Sequence, residues 1–293
     1  MEEMNLTNLQ RAEVITQALP YIQKYHNKII VIKYGGNAMI SEELKMQVME
    51  DIVLLSLIGV KPVLVHGGGP EISEMLKKVG KESVFVDGLR VTDKETAEIV
   101  QMVLAGKINK HLVNLLGEYG GSAIGISGID GHLIEAEVKD ERLGFVGEIT
   151  KVNAQPILDL LEKDYIPVVS TVGCDKQGNV YNINADTAAA YIAGALGAES
   201  LISMTDIAGV LKNKDDPDSL IPLIDLQDAK ALFDDGTISG GMIPKVECCI
   251  DAINHGVKKV FIMDGRVPHS LLIETLTDEG AGTMVTKDKN DEY

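Results

Sequence analysis

The chain has 293 residues, 45% of them hydrophobic and 24% charged, a globular balance that buries a large core in one α/β domain or two lobes. Its formal net charge of −17 excludes a basic nucleic-acid groove and argues against an anionic membrane surface. The first residues are acidic and polar, and no apolar run reaches spanning length. A cytoplasmic chain with no leader and no membrane contact is therefore expected.

Residues 1–26 predict an amphipathic helix, with Leu6, Leu9, Val14, Ala18, Ile22 and Tyr25 near helical spacing. Pro20 should kink it. Such a helix, ahead of the first core strand, must lay its apolar face on this subunit or on a neighbour. From Lys28 onward, short apolar runs alternate with longer periodic segments. The runs predict strands at Ile29–Lys33, Pro62–Val65, Ala123–Ser127, Ile166–Ser170, Ser200–Met204 and Lys259–Met263. Between them, Ser41 caps a helix that stops at Gly59, and Thr92 with Glu95 makes a capping box. Asp186–Leu196 and Pro244–His255 are two more helices. Val/Ile-rich strands separated by helices predict an open, mostly parallel central sheet covered by helices on both faces. "KESVFVDGLRVT" and "GHLIEAEVKDERLGFVGEITKVN" break the alternation and predict hairpin flaps. "LKNKDDPDSL" is a surface loop by composition. With no repeat and no linker, two lobes would share one sheet.

The three cysteines, Cys174, Cys248 and Cys249, cannot make a disulfide framework, and the adjacent pair lacks zinc-ligand spacing. They are expected to be buried structural thiols. The histidines show no metal arrangement, so no protein-held metal is expected.

Two glycine clusters each follow a strand: Gly35-Gly36, and Gly67-Gly68-Gly69 ahead of Pro70. Neither has Walker A spacing or the dinucleotide fingerprint. They are either tight turns or backbone anion cradles at strand ends, where open α/β sheets bind ligands. Lys33 ends an apolar strand beside them. It either snorkels to solvent or stabilises phosphate charge. Asp186 opens a small-residue helix after Asn182 and Asn184, as an N-cap or as an orienting acid. Lys245 follows Pro244 at a helix start, where the macrodipole disfavours a cation and a polyanion would offset it. Arg90 is either a surface arginine or a carboxylate clamp.

In this order and spacing, "VIKYGG", "VHGGGPEIS", "GLRVT", "YNINADTAAA", "TDIAGVL" and "GGMIPKVE" resemble the amino acid kinase family across essentially the whole chain from Lys28. The motifs are most similar to the branch that phosphorylates N-acetyl-L-glutamate, and the N-terminal helix is similar to its arginine-inhibited type. The resemblance implies an oligomerising helix at 1–26, an acyl-amino-acid lobe at 27–175 and an ATP lobe at 176–293. It implies transfer of the ATP γ-phosphoryl group to the side-chain carboxylate of N-acetyl-L-glutamate. The product is N-acetyl-L-glutamyl 5-phosphate, in the second step of arginine biosynthesis. Magnesium would arrive with ATP, held by phosphates and water.

By the same resemblance, Lys33 and Lys245 flank the migrating phosphoryl group and Asp186 holds both ammonium groups. Gly68, Gly69, Arg90, Asn182 and Asn184 would bind the amino acid, with Arg90 on its α-carboxylate. Gly35, Gly36 and Gly67 would face phosphate, with the N–H groups of Gly36 and Gly68 on the transferring phosphoryl group. Thr205, Asp206, Gly209, Val210 and Leu211, with Thr237, Ile238 and Ser239, would line the ATP site. Tyr21, Glu274 and Gly280 would border an arginine site, in a hexameric ring built from dimers joined through exchanged helices. Two alternatives stay open from the residues. One is a sister kinase acting on glutamate, aspartate, carbamate, UMP or a carrier-linked aminoadipate. The other is a non-catalytic amino-acid-binding regulator on the same fold.

Overall fold

Pro20 decides how the chain begins. Its missing N–H is harmless only in a first helical turn, so one helical stretch becomes α1 (Asn8–Gln17) and α2 (Leu19–Tyr25), with Pro20 opening the second. The structure is a computed structural model describing residues 6–39 and 41–289; the expectations for residues 1–5 and 290–293 lie outside the described residues. Leu9, Val14, Ile15 and Leu19 stay exposed, and no residue of α1 is buried. The apolar face of α1 therefore does not return to this subunit.

The first half of the chain runs β1 (Ile29–Tyr34), α3 (Glu42–Leu57), β2 (Lys61–His66) and α4 (Gly69–Lys78), then the hairpin β3 (Phe85–Val86) and β4 (Leu89–Arg90). Next come α5 (Lys94–Gln101), a π-helical turn over Met102–Ile108, α6 (Asn109–Glu118) and β5 (Ala123–Ser127). β6 (Ile134–Val138) and β7 (Gly147–Val152) form a second hairpin. α7 (Gln155–Glu162), β8 (Ile166–Ser170) and the hairpin β9 (Val172–Cys174) and β10 (Val180–Asn182) follow. The second half is α8 (Ala185–Ala195), β11 (Ser200–Thr205), β12 (Leu223–Asp225), α9 (Leu226–Asp234), α10 (Ile243–Asn254), β13 (Lys259–Asp264), α11 (Ser270–Leu276) and β14 (Gly282–Thr286).

The main sheet has eight strands in the order β12-β14-β13-β11-β1-β2-β8-β5. Only the β13–β14 pair is antiparallel; the other pairs are parallel. Strand alternation sorts the core into two layers. Val31, Val63 and Val65 pack under α7, α8 and α10. Ile30, Ile32 and Leu64 pack under α3, α4, α5, α6 and α11. β10-β9-β6-β7 form a separate four-stranded flap. Among the described residues no helix is long and apolar enough to cross a membrane.

All six expected strands occur, β5 and β8 with the expected bounds, β1, β11 and β13 longer by one residue and β2 by one at each end, and both expected hairpins form. Two caps differ from expectation. Asp93, not Thr92, caps α5 by accepting from Thr96 N, while the Thr92 hydroxyl donates to Arg90 O. Asn184, not Asp186, caps α8 by accepting from the N–H groups of Asp186 and Thr187. In each case the better-placed oxygen is one or two residues from the expected one. The second case frees the Asp186 carboxylate. Cys174 and Cys249 are buried as expected, but Cys248 is only half-buried.

One buried acid ties the sheet's second layer together. Asp51 on α3 is 1% exposed, and its Oδ1 lies 2.6 Å from His269 Nδ1 at the start of α11. Burial raises its pKa to about 6, more than the His269 contact lowers it. The folded state therefore binds this proton more tightly than the unfolded chain. The associated stability is full below the unfolded value near ~3.9 and is lost as pH rises through about 6. Asp51→Asn is expected to gain thermal stability relative to wild type between pH 4 and pH 6.5. Melting curves across that range check it, and a flat difference would refute it.

Candidate active site

The strand order reverses around β1: β2 lies on one side, and β11, much later in sequence, lies on the other. Such a switch point opens a crevice at the carboxyl ends of its strands. Lys33 lies near the end of β1, level with Val65 of β2 and Ser203 of β11. Its side chain is 8% exposed, and its Nζ lies 3.0 Å from Asp186 Oδ1 in the first turn of α8. The Ser203 hydroxyl also reaches that oxygen, at 3.4 Å. Burial pushes the Asp186 carboxyl up. The fields of Lys33 and Lys245, with hydrogen bonds from Lys33 and Ser203, outweigh this and hold it below the usual carboxylate range.

Lys245 projects from the first turn of α10 and donates to Thr205 Oγ1 at 2.8 Å. It is close enough to Asp186 to lower that acid's pKa, but Asp186 touches Lys33 alone among the two. So the carboxylate steadies one ammonium by contact and the other through space. Thr205, expected at the nucleotide, accepts from Lys245 and in turn donates to Asp206. A cleft of about 450 Å³ runs past Asp186, Thr187, Lys245 and Cys248 to Asp87 of the β3–β4 flap and Lys139 of the β6–β7 flap.

The two glycine loops meet beside this pair. Gly67 N donates to Tyr34 O, and a Cβ on Gly35 would lie 3.5 Å from Lys33 Cε and 3.7 Å from Gly67 N. Gly36 has φ of +65°, the left-handed region that glycine adopts without strain. Gly68 is close-packed for a different reason: a Cβ there would sit 2.1 Å from Ile108 Cδ1 and 2.9 Å from Leu104 Cδ2, so both side-chain ends would have to move. Gly69 and Pro70 open α4 behind it, leaving first-turn N–H groups without intrahelical partners.

Arg90 is buried, 6% exposed, with its guanidinium 4.7 Å from the centroid of the Phe85 ring. It donates to Ser83 Oγ, Gly69 O and Ser73 Oγ at 2.6–2.9 Å. No carboxylate forms an ion pair with it among the described residues, and burial lowers its pKa. A desolvated cation with only neutral partners is poised for an anion. Asn182 donates from its side chain to Thr92 Oγ1 at 3.3 Å, which joins β10 to the Arg90 flap. Asn184 lies in the cleft, but its carboxamide oxygen is committed to the α8 cap.

On the far side, Asp206, Gly209, Val210 and Leu211 follow β11. Val210 is in the core, its N–H bound to Thr283 Oγ1, and Leu211 bridges Leu220. Ile238 is buried while Thr237 and Ser239 flank it toward solvent. The side chains of Val210 and Ile238 are packed inward, and Ile221 N donates to Val210 O at 2.8 Å and Ile238 N to Leu232 O at 2.9 Å, so the main chain of Val210 is satisfied within the protein. Tyr21, Glu274 and Gly280 line a separate cleft of about 740 Å³ between α2 and α11. Burial raises the Glu274 carboxyl, and Ala281 N donates to it at 2.6 Å.

A sequence profile described as the Amino acid kinase family matches residues 28–264. The chain belongs to the amino acid kinase family. It is 57% identical over 286 residues to acetylglutamate kinase of Brachyspira hyodysenteriae, covering 97% of this chain and 99% of that one. It is 55% identical over 280 residues to acetylglutamate kinase of Caldanaerobacter subterraneus, covering 95% and 94%. In fold it is similar to N-acetylglutamate synthase from Neisseria gonorrhoeae, solved with coenzyme A and N-acetyl-glutamate, with a TM-score of 0.82 at 24% identity. That likeness covers 94% of this chain and 63% of the synthase, so this chain spans less than two thirds of the synthase's length.

Sequence reasoning missed Ser203, Ser73 and Ser83 at this amino acid kinase site. Each is one hydroxyl whose role is visible only from its partner across the fold. It also passed over His66 and Asn109, which pair beneath the second glycine loop. His66 stands directly before the glycine triplet, and that adjacency was the available signal.

Proposed function

We propose that the chain transfers the γ-phosphoryl group of ATP to the side-chain carboxylate of N-acetyl-L-glutamate, giving N-acetyl-L-glutamyl 5-phosphate in arginine biosynthesis. The observation that carries this reading is the Lys33–Asp186 pair at the β1 switch point, with Lys245 across the cleft. A carboxylate acceptor has a pKa near ~4.3 and is already ionised at neutral pH, so no general base is needed. What the reaction needs is a way to bring anions together and to neutralise charge on the group in flight. Lys33 and Lys245 supply positive charge, and the Gly36 and Gly68 loops supply main-chain N–H groups. Arg90 supplies a desolvated cation for the α-carboxylate. ATP brings magnesium to the phosphates, where it offsets charge.

The main-sheet strands before and after residue 175 fall in opposite halves of that sheet and meet where β1 pairs with β11, while β10 stays with β9 in the flap. This arrangement supports the reading of residues 27–175 as the amino-acid lobe and 176–293 as the ATP lobe, in a cytoplasmic enzyme. An ATP-dependent hydroxamate assay across carboxylate acceptors tests the function, because acyl phosphates react with hydroxylamine. N-Acetyl-L-glutamate should be the preferred acceptor by a wide margin. Equal or greater turnover with glutamate, aspartate or carbamate would replace the reading with a sister kinase.

Regulation follows the same reading. The bare apolar stripe of α1 supports helix exchange between dimers into a hexamer. The acid-lined cleft of Tyr21, Glu274 and Gly280 suits a guanidinium such as arginine. Removal of residues 1–26 is expected to leave an active dimer that arginine no longer inhibits. Sedimentation velocity with an arginine titration checks this, and a truncated protein of undiminished assembly size would refute it.

A further inference from the structure

His66 is fully buried at the end of β2, one residue before the glycine triplet. Its Nδ1 lies 3.0 Å from Gly67 O, and its Nε2 lies 3.2 Å from Asn109 Nδ2. The surroundings fix which nitrogen carries the proton. Asn109 Nδ2 also faces two main-chain oxygens, Val168 O at 2.9 Å and Ile126 O at 3.3 Å, while Asn109 Oδ1 accepts from Lys110 Nζ at 3.0 Å. A flipped carboxamide would set oxygen against oxygen on one side and amide N–H against ammonium on the other. Asn109 therefore donates to His66 Nε2, and the imidazole proton sits on Nδ1, where it donates to Gly67 O. Burial holds the ring neutral by pushing its pKa down to about 4, and the Lys110 charge adds to the fall against the pull of the Gly67 bond.

The backbone around this pair is built to reach it. The π-helical turn at Met102–Ile108 delivers Asn109 onto the sheet, and a Cβ on Gly125 would collide with Asn109 Oδ1 at 1.9 Å. π-Turns inside α-helices recur at functional sites. In a trans peptide, C=O and N–H point in opposite directions. Anchoring Gly67 O toward α6 turns the next N–H, that of Gly68, toward the opposite layer. That layer holds α8 and Asp186, and a Cβ on Gly67 would lie 3.2 Å from Ala185 Cβ. No protein acceptor takes the Gly68 N–H among the described residues.

We infer that His66 and Asn109 are positioning residues, which hold the Gly67–Gly68 peptide so that the Gly68 N–H is aimed at the transferring phosphoryl group. This rests on the phosphoryl-transfer reading above. Neither side chain touches substrate, and neither exchanges a proton during turnover. Their contribution is preorganisation of a donor whose direction matters most in the transition state.

The test compares His66→Asn with His66→Gln in the full-length protein. An asparagine amide can take the place of Nδ1 and keep the bond to Gly67 O, whereas glutamine reaches the Nε2 position and loses it. His66→Gln is expected to lower kcat about 10–100-fold with both KM values within about threefold of wild type. His66→Asn should restore kcat to within about fivefold. Independently, ¹⁵N NMR of the labelled wild-type protein should give His66 as the neutral Nδ1-protonated tautomer from pH 6 to pH 8. Wild-type kcat in His66→Gln, equal losses in both variants, or an Nε2-protonated ring would each overturn the inference. A wild-type protein that phosphorylated no acceptor would defeat the proposed function instead, and the tautomer would still decide the peptide's anchor.

Discussion

Lys33→Ala should lower kcat by about 10²–10³-fold, the cost of removing one preorganised charge contact from a water-poor site, or roughly 3–4 kcal/mol. The substitution does two things at once. It deletes an ammonium beside the phosphoryl path, and it leaves the half-buried Asp186 carboxylate without its contact partner. Asp186 is held below the ordinary carboxylate range while paired, so its stabilising contribution exists above the unfolded value near ~3.9 and is lost as pH falls through the lower folded value. Without Lys33 that contribution shrinks at neutral pH, and Tm should drop along with kcat. Lys245→Ala separates the two effects. Its ammonium rests on the neutral Thr205 hydroxyl, so its removal should cost kcat to a similar extent with a smaller loss of Tm. Steady-state kinetics and melting curves on both variants check this. Near-wild-type kcat in either folded variant would remove that lysine from the chemistry.

Arg90→Leu should raise the KM for the amino-acid acceptor about 10–100-fold while leaving the KM for ATP within about twofold. The estimate follows from the 1.5–3 kcal/mol typical of a hydrogen bond to a charged group. Arg90 is already desolvated and held in place by Ser73, Ser83 and Gly69 O, so an incoming carboxylate meets a positioned cation with one Nη1 proton and the Nε–H still to donate. Arg90→Lys should recover little, since one ammonium cannot span a carboxylate from the same anchors. Initial-rate kinetics with each substrate varied in turn decides the matter. An unchanged acceptor KM in Arg90→Leu would assign Arg90 to the architecture of the β3–β4 flap alone.

Much of this molecule is local and therefore readable from the chain. The buried strands β1, β2, β5, β8, β11 and β13 are Val/Ile runs bounded by helical periods, and each lies where that pattern puts it. β12 escaped notice because three residues carry too short a pattern, and β14 because Gly282, Thr283 and Thr286 interrupt its apolar run. The caps of α5 and α8 were each misplaced, because Thr92 against Asp93 and Asn184 against Asp186 differ only in which oxygen reaches the free N–H groups. That choice depends on backbone angles set by neighbouring strands. Its consequence is chemical: with Asn184 on the cap, Asp186 is available to Lys33.

By itself, the sequence determined the α/β class, the glycine loops at strand ends and the charged residues beside them. Periodicity and turn chemistry act over a few residues, and a single chain contains that information. Tertiary structure alone decided that Lys33 meets Asp186 while Lys245 meets Thr205, that Arg90 is buried with no acid paired to it among the described residues, and that His66 leans on Asn109. These contacts join residues 21–153 positions apart in the chain for Arg90–Gly69 and Lys33–Asp186 alike. Only the packing of layers on the sheet brings such groups within bonding distance, and only burial there makes their charges matter.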